Sequence, residues 1–186
     1  MNLETAQIIK TLQDIACECE RKIGAGKKTG KDKDTCRTLG TKKHDCCDDK
    51  IKKRKKDEEP KLGPEQGYDE NGNPYNDSRK MKPGEAFPAY FQRIRGKRFP
   101  DAASLDSQGR PTQFFDFKFR CPKDVPINRK KNSPLSKGTS IPGFTPGRTT
   151  KKGRKIKGQK EKYWELGRKL KPKIRKQPRV ISNVDC

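Results

Sequence analysis

Two aspartates and a lysine in one short stretch could together hold a divalent cation. Asp101 and Asp116 offer carboxylate oxygens, and Lys118 offers an ammonium group two residues after Asp116. Neighbouring carboxylates repel each other and lose hydration when partly buried, and a bound cation offsets both costs. Mg²⁺ suits such a site, because it takes one or two carboxylates and completes its shell with water or phosphate oxygens. The alternative is an ordinary charged face on a half-exposed hairpin.

A β-hairpin would bring these three residues together. The stretch FPDAASLDSQGRPTQFFDFKF, residues 99–119, starts with seven mostly apolar or small residues, continues with six turn formers and ends with eight residues rich in aromatics. The midpoint between Asp101 and Asp116 falls at residues 108 and 109, inside the turn, so the two aspartates should face each other about 5 Å apart. Because strand side chains alternate, Lys118 should share a face with Asp116.

These residues also resemble a known motif. Pro100-Asp101, then fourteen residues, then Asp116-Phe117-Lys118 looks like the signature of the PD-(D/E)XK nucleases, which have the restriction-endonuclease fold. Gln159 and Tyr163 are similar to the QxxxY pattern that some branches carry on the next helix. The apolar run at 179–182 resembles the strand after that helix. The resemblance covers roughly residues 85–185 and implies an α/β fold with a small mixed sheet flanked by helices.

The resemblance implies a metal-dependent nuclease. Asp101, Asp116 and the backbone carbonyl of Phe117 would bind Mg²⁺ or Mn²⁺. Lys118 would position water or stabilise charge on phosphate, and Gln159 would help to orient the reacting groups.

A further acid is expected near this site. Similar nucleases often use a glutamate from a helix before the motif, for which Glu85 is the nearest candidate and Glu65 the next. Glu85 could equally be an acid that complements the dipole of the following helix.

Three segments are predicted along the chain. Residues 1–60 form a helical, cysteine-rich appendage, residues 61–84 form a linker or surface loop, and residues 85–186 form the nuclease core with a long basic loop at 121–158. Apolar residues at three- and four-residue spacing predict a helix over 3–23. Further helices are predicted over 83–95, beginning near residue 87, and over 159–170, with a last strand at 179–184.

The charge distribution predicts a polyanionic partner. Lysine and arginine number 47 against 24 acids, and nineteen of the basic residues lie between 129 and 179 with only two acids. Concentrated positive charge of this kind favours nucleic acid binding. The predicted contacts are Lys151, Lys152, Arg154, Lys155, Lys157, Lys160 and Tyr163. We expect DNA rather than RNA as substrate, with low sequence specificity, because no base-reading module is apparent.

Seven cysteines suggest disulfide bonds. Five of them crowd into residues 17–47 around the single histidine, His44. Their spacing fits no standard zinc pattern, so one or two disulfides are the favoured reading, with zinc and free thiols as alternatives. Cys121 and Cys186 either pair with each other or remain free. The full set of candidates is Cys17, Cys19, Cys36, Cys46, Cys47, Cys121 and Cys186.

The biological setting is an expectation by analogy. A small, basic nuclease with a cysteine-rich lead-in resembles the C-terminal modules of bacterial polymorphic toxins, including type VI secretion effectors. That resemblance implies export without a cleaved signal peptide, action in the cytoplasm of a target cell and neutralisation by an acidic immunity protein. Otherwise a cytoplasmic nuclease is expected. No apolar stretch approaches the length of a membrane span, so no membrane partner is expected.

Two other classes of function remain open from the sequence. The chain could be a basic nucleic-acid-binding protein without enzymatic activity. It could also be a cysteine-bridged cationic protein that acts on membranes.

Overall fold

The computed structural model is a mixed α/β structure with four helices and a small mixed sheet among the residues it describes. Those residues are 3–27, 33–54, 58–127, 134–138, 144, 146–151, 153, 155–182 and 186. The chain divides into two compact units. Unit 1 comprises residues 1–60, 116–143 and 180–186, and unit 2 comprises residues 61–115 and 144–179. A restriction-endonuclease-like arrangement of these elements stays a prediction.

Unit 1 contains two long helices. Helix α1, Leu3–Ile23, has the bounds that its apolar spacing predicts. Helix α2, Cys36–Lys52, begins with a capping box in which Thr35 and Thr38 each bond the other's backbone N–H through a side-chain oxygen. The fully buried Lys43 of α2 donates a hydrogen bond to Glu20 of α1 at 2.7 Å. Removing either partner would leave a poorly solvated charge, so this pair ties the helices to each other.

Three disulfides cross-link unit 1. They join Cys17 to Cys186, Cys19 to Cys46 and Cys36 to Cys121. The structure therefore has disulfides, as the sequence predicts. The prediction that Cys121 and Cys186 pair with each other or remain free is wrong. With six cysteines cross-linked, zinc cannot have them as thiolate ligands. Cys47 is buried and belongs to none of the three bonds.

The strands form one four-stranded sheet and two short hairpins. The sheet has the order β1-β4-β5-β8, with antiparallel pairing of β1 to β4 and of β4 to β5. Strands β2 and β3 form one hairpin, and β6 and β7 form the other. The strands are β1 Leu62–Gly63, β2 Gly67–Tyr68, β3 Pro74–Tyr75, β4 Ala102–Leu105, β5 Pro111–Lys118, β6 Arg148–Thr149, β7 Lys155–Ile156 and β8 Arg179–Ser182.

The segment expected to be a linker is structured. Residues 61–84 contain β1, β2 and β3, and the two-unit division assigns residues 116–143 and 180–186 to the unit of the N-terminal helices. Two-residue strands have too few positions to show a hydrophobic period, so proline, glycine and asparagine dominate the composition there. The expected loop at 121–158 likewise holds β6 and β7.

The apolar core of unit 2 lies between the β4–β5 hairpin and helix α4, Gln159–Lys169. Helix α3, Phe87–Ile94, begins where the sequence predicts, and helix α4 supplies one side of the core. The buried members of this core are Tyr68, Ala103, Phe114, Tyr163, Leu166, Leu170 and Ile174. Gly167 of α4 approaches Ile174 so closely that a methyl group there would lie 3.0 Å from the Ile174 Cβ. Among the described residues, no helix is both long and apolar enough to cross a membrane.

We expect loss of the Cys36–Cys121 bond to destabilise unit 1. The double variant Cys36→Ser/Cys121→Ser releases α2 from the segment after β5, which enlarges the unfolded ensemble relative to the cross-linked chain. Its free energy of unfolding should fall by about 2–5 kcal/mol in urea titrations. The matched control is Cys47→Ala, which removes a buried sulfur but no cross-link. Equal urea midpoints for the double variant and the wild type would contradict this prediction.

Candidate active site

The hairpin of β4 and β5 has the register that the sequence predicts. Ala102 pairs with Phe115 and Ser104 with Gln113, symmetrically about the turn, and the register shifts only after Ser104. Asp101 comes directly before the first pair, and its backbone N–H donates to the Phe115 carbonyl at 3.1 Å. The expected strand pairing is therefore confirmed up to the residues next to both aspartates.

Asp101 is buried beside an arginine. It is 5% exposed, and its Oδ1 lies 3.6 Å from the guanidinium of Arg79. The same guanidinium makes a 3.0 Å ion pair with Glu65. Unit 2 thus holds one positive group between two carboxylates, which lowers the cost of burying Asp101.

Asp116 is buried beside Lys118. It is 3% exposed, and its Oδ2 forms an ion pair with the Lys118 ammonium. The prediction that these two side chains share a face is confirmed. Because strand side chains alternate, the intervening Phe117 points to the opposite face, where it packs edge-on against His44 with ring centroids 6.5 Å apart.

Helix α2 supports the strand end that carries these residues. Phe119 stacks on Phe117 at 6.2 Å and packs edge-on against His44 at 5.5 Å. Two residues further, Cys121 is bonded to Cys36 at the start of α2, and the Cys36 N–H donates to the Pro126 carbonyl at 2.9 Å. Aromatic packing and a cross-link therefore fix the backbone on which Asp116 and Lys118 stand.

Gln159 and Tyr163 connect helix α4 to the segment before Asp101. Gln159 Nε2 donates to the Tyr163 hydroxyl at 3.2 Å, and that hydroxyl donates to the carbonyl of Phe99 at 3.0 Å. Phe99 lies two residues before Asp101. Tyr163 is buried in the core of unit 2, and its predicted contact with nucleic acid stays a prediction.

Glu85 is held by an arginine of α3. Its two carboxylate oxygens accept hydrogen bonds from Arg93 Nε at 2.7 Å and Arg93 Nη2 at 2.8 Å, and the Lys82 N–H donates a third at 2.9 Å. These bonds, chiefly those from Arg93, lower the pKa of Glu85 to about 2. Glu85 lies before the helix and clamps it, and any metal there would compete with the guanidinium. Its role as a ligand stays a prediction.

Four of the predicted nucleic-acid contacts are exposed cations of unit 2. Lys151, Lys155, Lys157 and Lys160 lie on the β6–β7 hairpin and at the start of α4, and Lys157 also pairs with Glu165. Lys152 and Arg154 lie outside the described residues.

The site residues fall into three groups. Unit 2 brings Asp101, Arg79 and Glu65 together and separately links Gln159, through Tyr163, to Phe99. Unit 1 brings Asp116 to Lys118. The convergence of both aspartates on one cation stays a prediction.

The donor set fits Mg²⁺ by its chemistry. Asp101 and Asp116 offer buried carboxylate oxygens, and each lies next to a cation that balances its charge. No group of three or more Cys, His, Asp or Glu side chains within the described part of the chain could hold a metal. A cation bound by both aspartates would thus take its remaining ligands from backbone carbonyl, water or substrate oxygens, as Mg²⁺ commonly does.

Arg79 is the site residue that sequence reasoning missed. It lies in the segment interpreted as a linker, 22 residues before the aspartate that it contacts. No spacing rule links the two positions. The local composition gave no signal either, because residues 61–84 contain four basic and four acidic residues.

No family model, curated protein or solved structure matches this chain. The resemblance to PD-(D/E)XK nucleases consequently depends on the motif residues and their geometry.

The ion pair of Glu85 with Arg93 should make stability depend on acid pH. The pKa of Glu85 lies below its ordinary value of 4.5 in the folded state, so its contribution is complete above that value and lost as pH falls towards 2. In urea titrations, Glu85→Gln should be less stable than wild type at pH 6, and the difference should shrink between pH 4.5 and 2. In an Arg93→Gln background the same substitution should show little pH dependence. A difference that is constant with pH would contradict the assignment.

Proposed function

We propose that this protein is a metal-dependent nuclease that hydrolyses phosphodiester bonds, with DNA favoured over RNA. The main support is the register of β4 and β5, in which Asp101 directly precedes and Asp116 directly follows the Ala102–Phe115 pair. Facing positions at the end of an antiparallel pair are about 5 Å apart, a suitable spacing for one shared cation.

Burial of the acids further supports a reactive site. A buried carboxylate loses hydration, and this costs free energy unless a nearby cation neutralises the charge. A protein that uses only its basic surface to bind nucleic acid has no need of two such carboxylates. Both aspartates are neutralised by cations that could also contact phosphate, namely Arg79 and Lys118.

Each residue has a distinct role in the proposed reaction. Asp101, Asp116 and the Phe117 carbonyl bind Mg²⁺ or Mn²⁺, which when bound lowers the pKa of a ligand water and neutralises charge on the phosphate. Lys118 donates a hydrogen bond to the attacking water or to a phosphate oxygen. Gln159, at the first position of α4, orients the attacking water or the phosphate with its amide.

Tyr163 and Arg79 act through their neighbours. The Tyr163 hydroxyl fixes the Phe99 carbonyl and so the chain that leads to Asp101. Arg79 neutralises the charge of Asp101 in the absence of substrate. When substrate binds, its guanidinium can form an ion pair with a phosphate.

The exposed cations of unit 2 would hold the nucleic-acid backbone. Lys151, Lys155, Lys157 and Lys160 contact phosphates rather than bases in this proposal, which accounts for low sequence specificity. The surplus of positive charge also favours an acidic protein partner, as an immunity protein of a secreted toxin would be. Delivery into a target cell is part of the same proposal.

A cleavage assay tests the proposed activity. Asp101→Asn and Asp116→Asn should each lower plasmid cleavage in Mg²⁺ by about 100-fold or more, because each removes a metal ligand. EDTA should abolish cleavage by the wild type. Asp106→Asn is the matched control, since this aspartate lies in the turn at the other end of the same hairpin and accepts hydrogen bonds there. It should cleave at the wild-type rate.

Two results would contradict this proposal, one the assigned residues and the other the enzymatic activity. Cleavage that survives both substitutions would show that these aspartates are not the catalytic acids. Salt-sensitive DNA binding that is equal in wild type and Asp116→Asn, with cleavage in neither, would favour the alternative of a binding protein without enzymatic activity.

The cationic surface predicts a specific change in salt dependence. Each lysine–phosphate contact contributes about 0.9 to the slope of log K against log salt for duplex DNA. The triple variant Lys151→Gln/Lys155→Gln/Lys160→Gln should therefore lower the slope by about 2 to 3, measured by fluorescence anisotropy in EDTA. The control removes three exposed lysines of unit 1, with Lys10→Gln/Lys22→Gln/Lys53→Gln. Equal slopes for the two triple variants would contradict this assignment of the binding surface.

A further inference from the structure

Helix α3 exposes its aromatic face instead of burying it. None of its eight residues is buried, and Phe87 and Phe91 are 68% and 56% exposed. The neighbouring Met81 is 54% exposed. In a chain with few apolar residues, so large an apolar surface on one short helix points to a partner.

Polar contacts made by Arg93 hold the helix in place. Arg93 binds Glu85 and also donates to the carbonyls of Ser78 and Lys80, the latter at 2.8 Å. The Tyr75 hydroxyl donates to the Arg93 carbonyl at 3.2 Å. The Arg93 guanidinium also lies over the Tyr90 ring, 5.6 Å from its centroid, so Tyr90 takes part in the anchoring while Phe87 and Phe91 stay exposed.

The two exposed rings form a sequence-neutral surface, here called the aromatic platform and defined as Phe87 and Phe91. Phe87 and Phe91 stack with centroids 6.4 Å apart and planes 27° apart, and Tyr90 lies 6.2 Å from Phe87. Nearly parallel rings with open faces suit nucleobases, since every base has a π-face and can stack on them.

Exposed cations flank the aromatic platform. Lys80 and Lys82 precede it, and Arg95 follows it. Aromatic rings combined with positive charge are the usual composition of a surface that binds single-stranded nucleic acid, where rings take the bases and cations take the phosphates. An acidic protein would meet the charges equally well, but the ring-rich composition favours bases over the aliphatic contacts of a protein groove.

The aromatic platform is connected to the proposed catalytic centre within unit 2. Arg93 holds the backbone carbonyls on either side of Arg79, and Arg79 contacts the Asp101 carboxylate at 3.6 Å.

We propose that the aromatic platform of α3 binds unpaired bases, so that the substrate is a single strand or a duplex region that has opened. This inference deepens the proposed nuclease function and shares its substrate, but it makes a separate claim about binding. The contribution of the rings can be measured without catalysis.

Binding of two labelled probes in EDTA tests the claim. One probe is a twelve-residue thymidine oligonucleotide, and the other is an abasic strand with the same number of phosphates. By fluorescence anisotropy, the full-length wild type should bind the thymidine probe about tenfold more tightly, because stacking on each ring strengthens binding. Phe87→Leu/Phe91→Leu keeps apolar bulk without rings and should lose this preference, with unchanged affinity for the abasic probe.

Two matched variants complete the experiment. Phe87→Tyr/Phe91→Tyr retains the rings and should retain the preference. Leu135→Ser alters an exposed apolar residue of unit 1 and should also retain it. Equal binding of both probes by the wild type would overturn the proposal and favour an acidic protein as the occupant of α3. A preference that persists in the leucine variant, or an equal loss for both probes, would overturn it as well.

Failure of this proposal differs from failure of the nuclease. If the wild type cleaves DNA in Mg²⁺ and Asp116→Asn does not, while the wild type shows no base preference, the nuclease proposal stands and the proposal for the aromatic platform is rejected. If the wild type prefers the thymidine probe but cleaves nothing in Mg²⁺, the aromatic platform stands as a binding surface alone.

Discussion

Antiparallel pairing of β4 with β5 is the constraint on which the proposed chemistry depends. Hydrogen bonds between the strands fix Ala102 opposite Phe115, and the residues beyond that pair must follow the same register. A slip of one residue would turn every side chain of one strand to the other face. Phe114 and Phe115 lie on opposite faces of β5 and are both fully buried, so a slip would exchange the side chains that pack on the two faces.

Positive side chains make the buried acids possible. Arg79 stands beside Asp101, and Lys118 stands beside Asp116, each from the same unit as its acid. Each ion pair reduces the free-energy cost of burying a carboxylate. In the proposed function, the same cation can also contact a phosphate. Stability and the proposed catalysis thus use the same contacts, which is why a single aspartate substitution can affect both.

Helices and strand pairing could be predicted from the sequence where the spacing of residues was regular. The apolar repeat of α1, the symmetric hairpin and the start of α3 at Phe87 follow from short-range rules and match the structure. Long-range contacts did not follow. Disulfide partners and the Arg79–Asp101 pair depend on how distant segments meet, and no spacing encodes that. For the site itself, sequence supplied Asp101, Asp116 and Lys118, while the packing of Tyr163 needed the structure.

The covalent layout of unit 1 has a consequence for its biosynthesis. The bond between Cys17 and Cys186 joins helix α1 to a cysteine 169 positions away, and a second disulfide joins Cys36 to the distant Cys121. Neither link can close until the ribosome has made the distant partner. The bonds of unit 1 therefore form later than the synthesis of its N-terminal helices, whereas unit 2 contains no cysteine and has no such requirement.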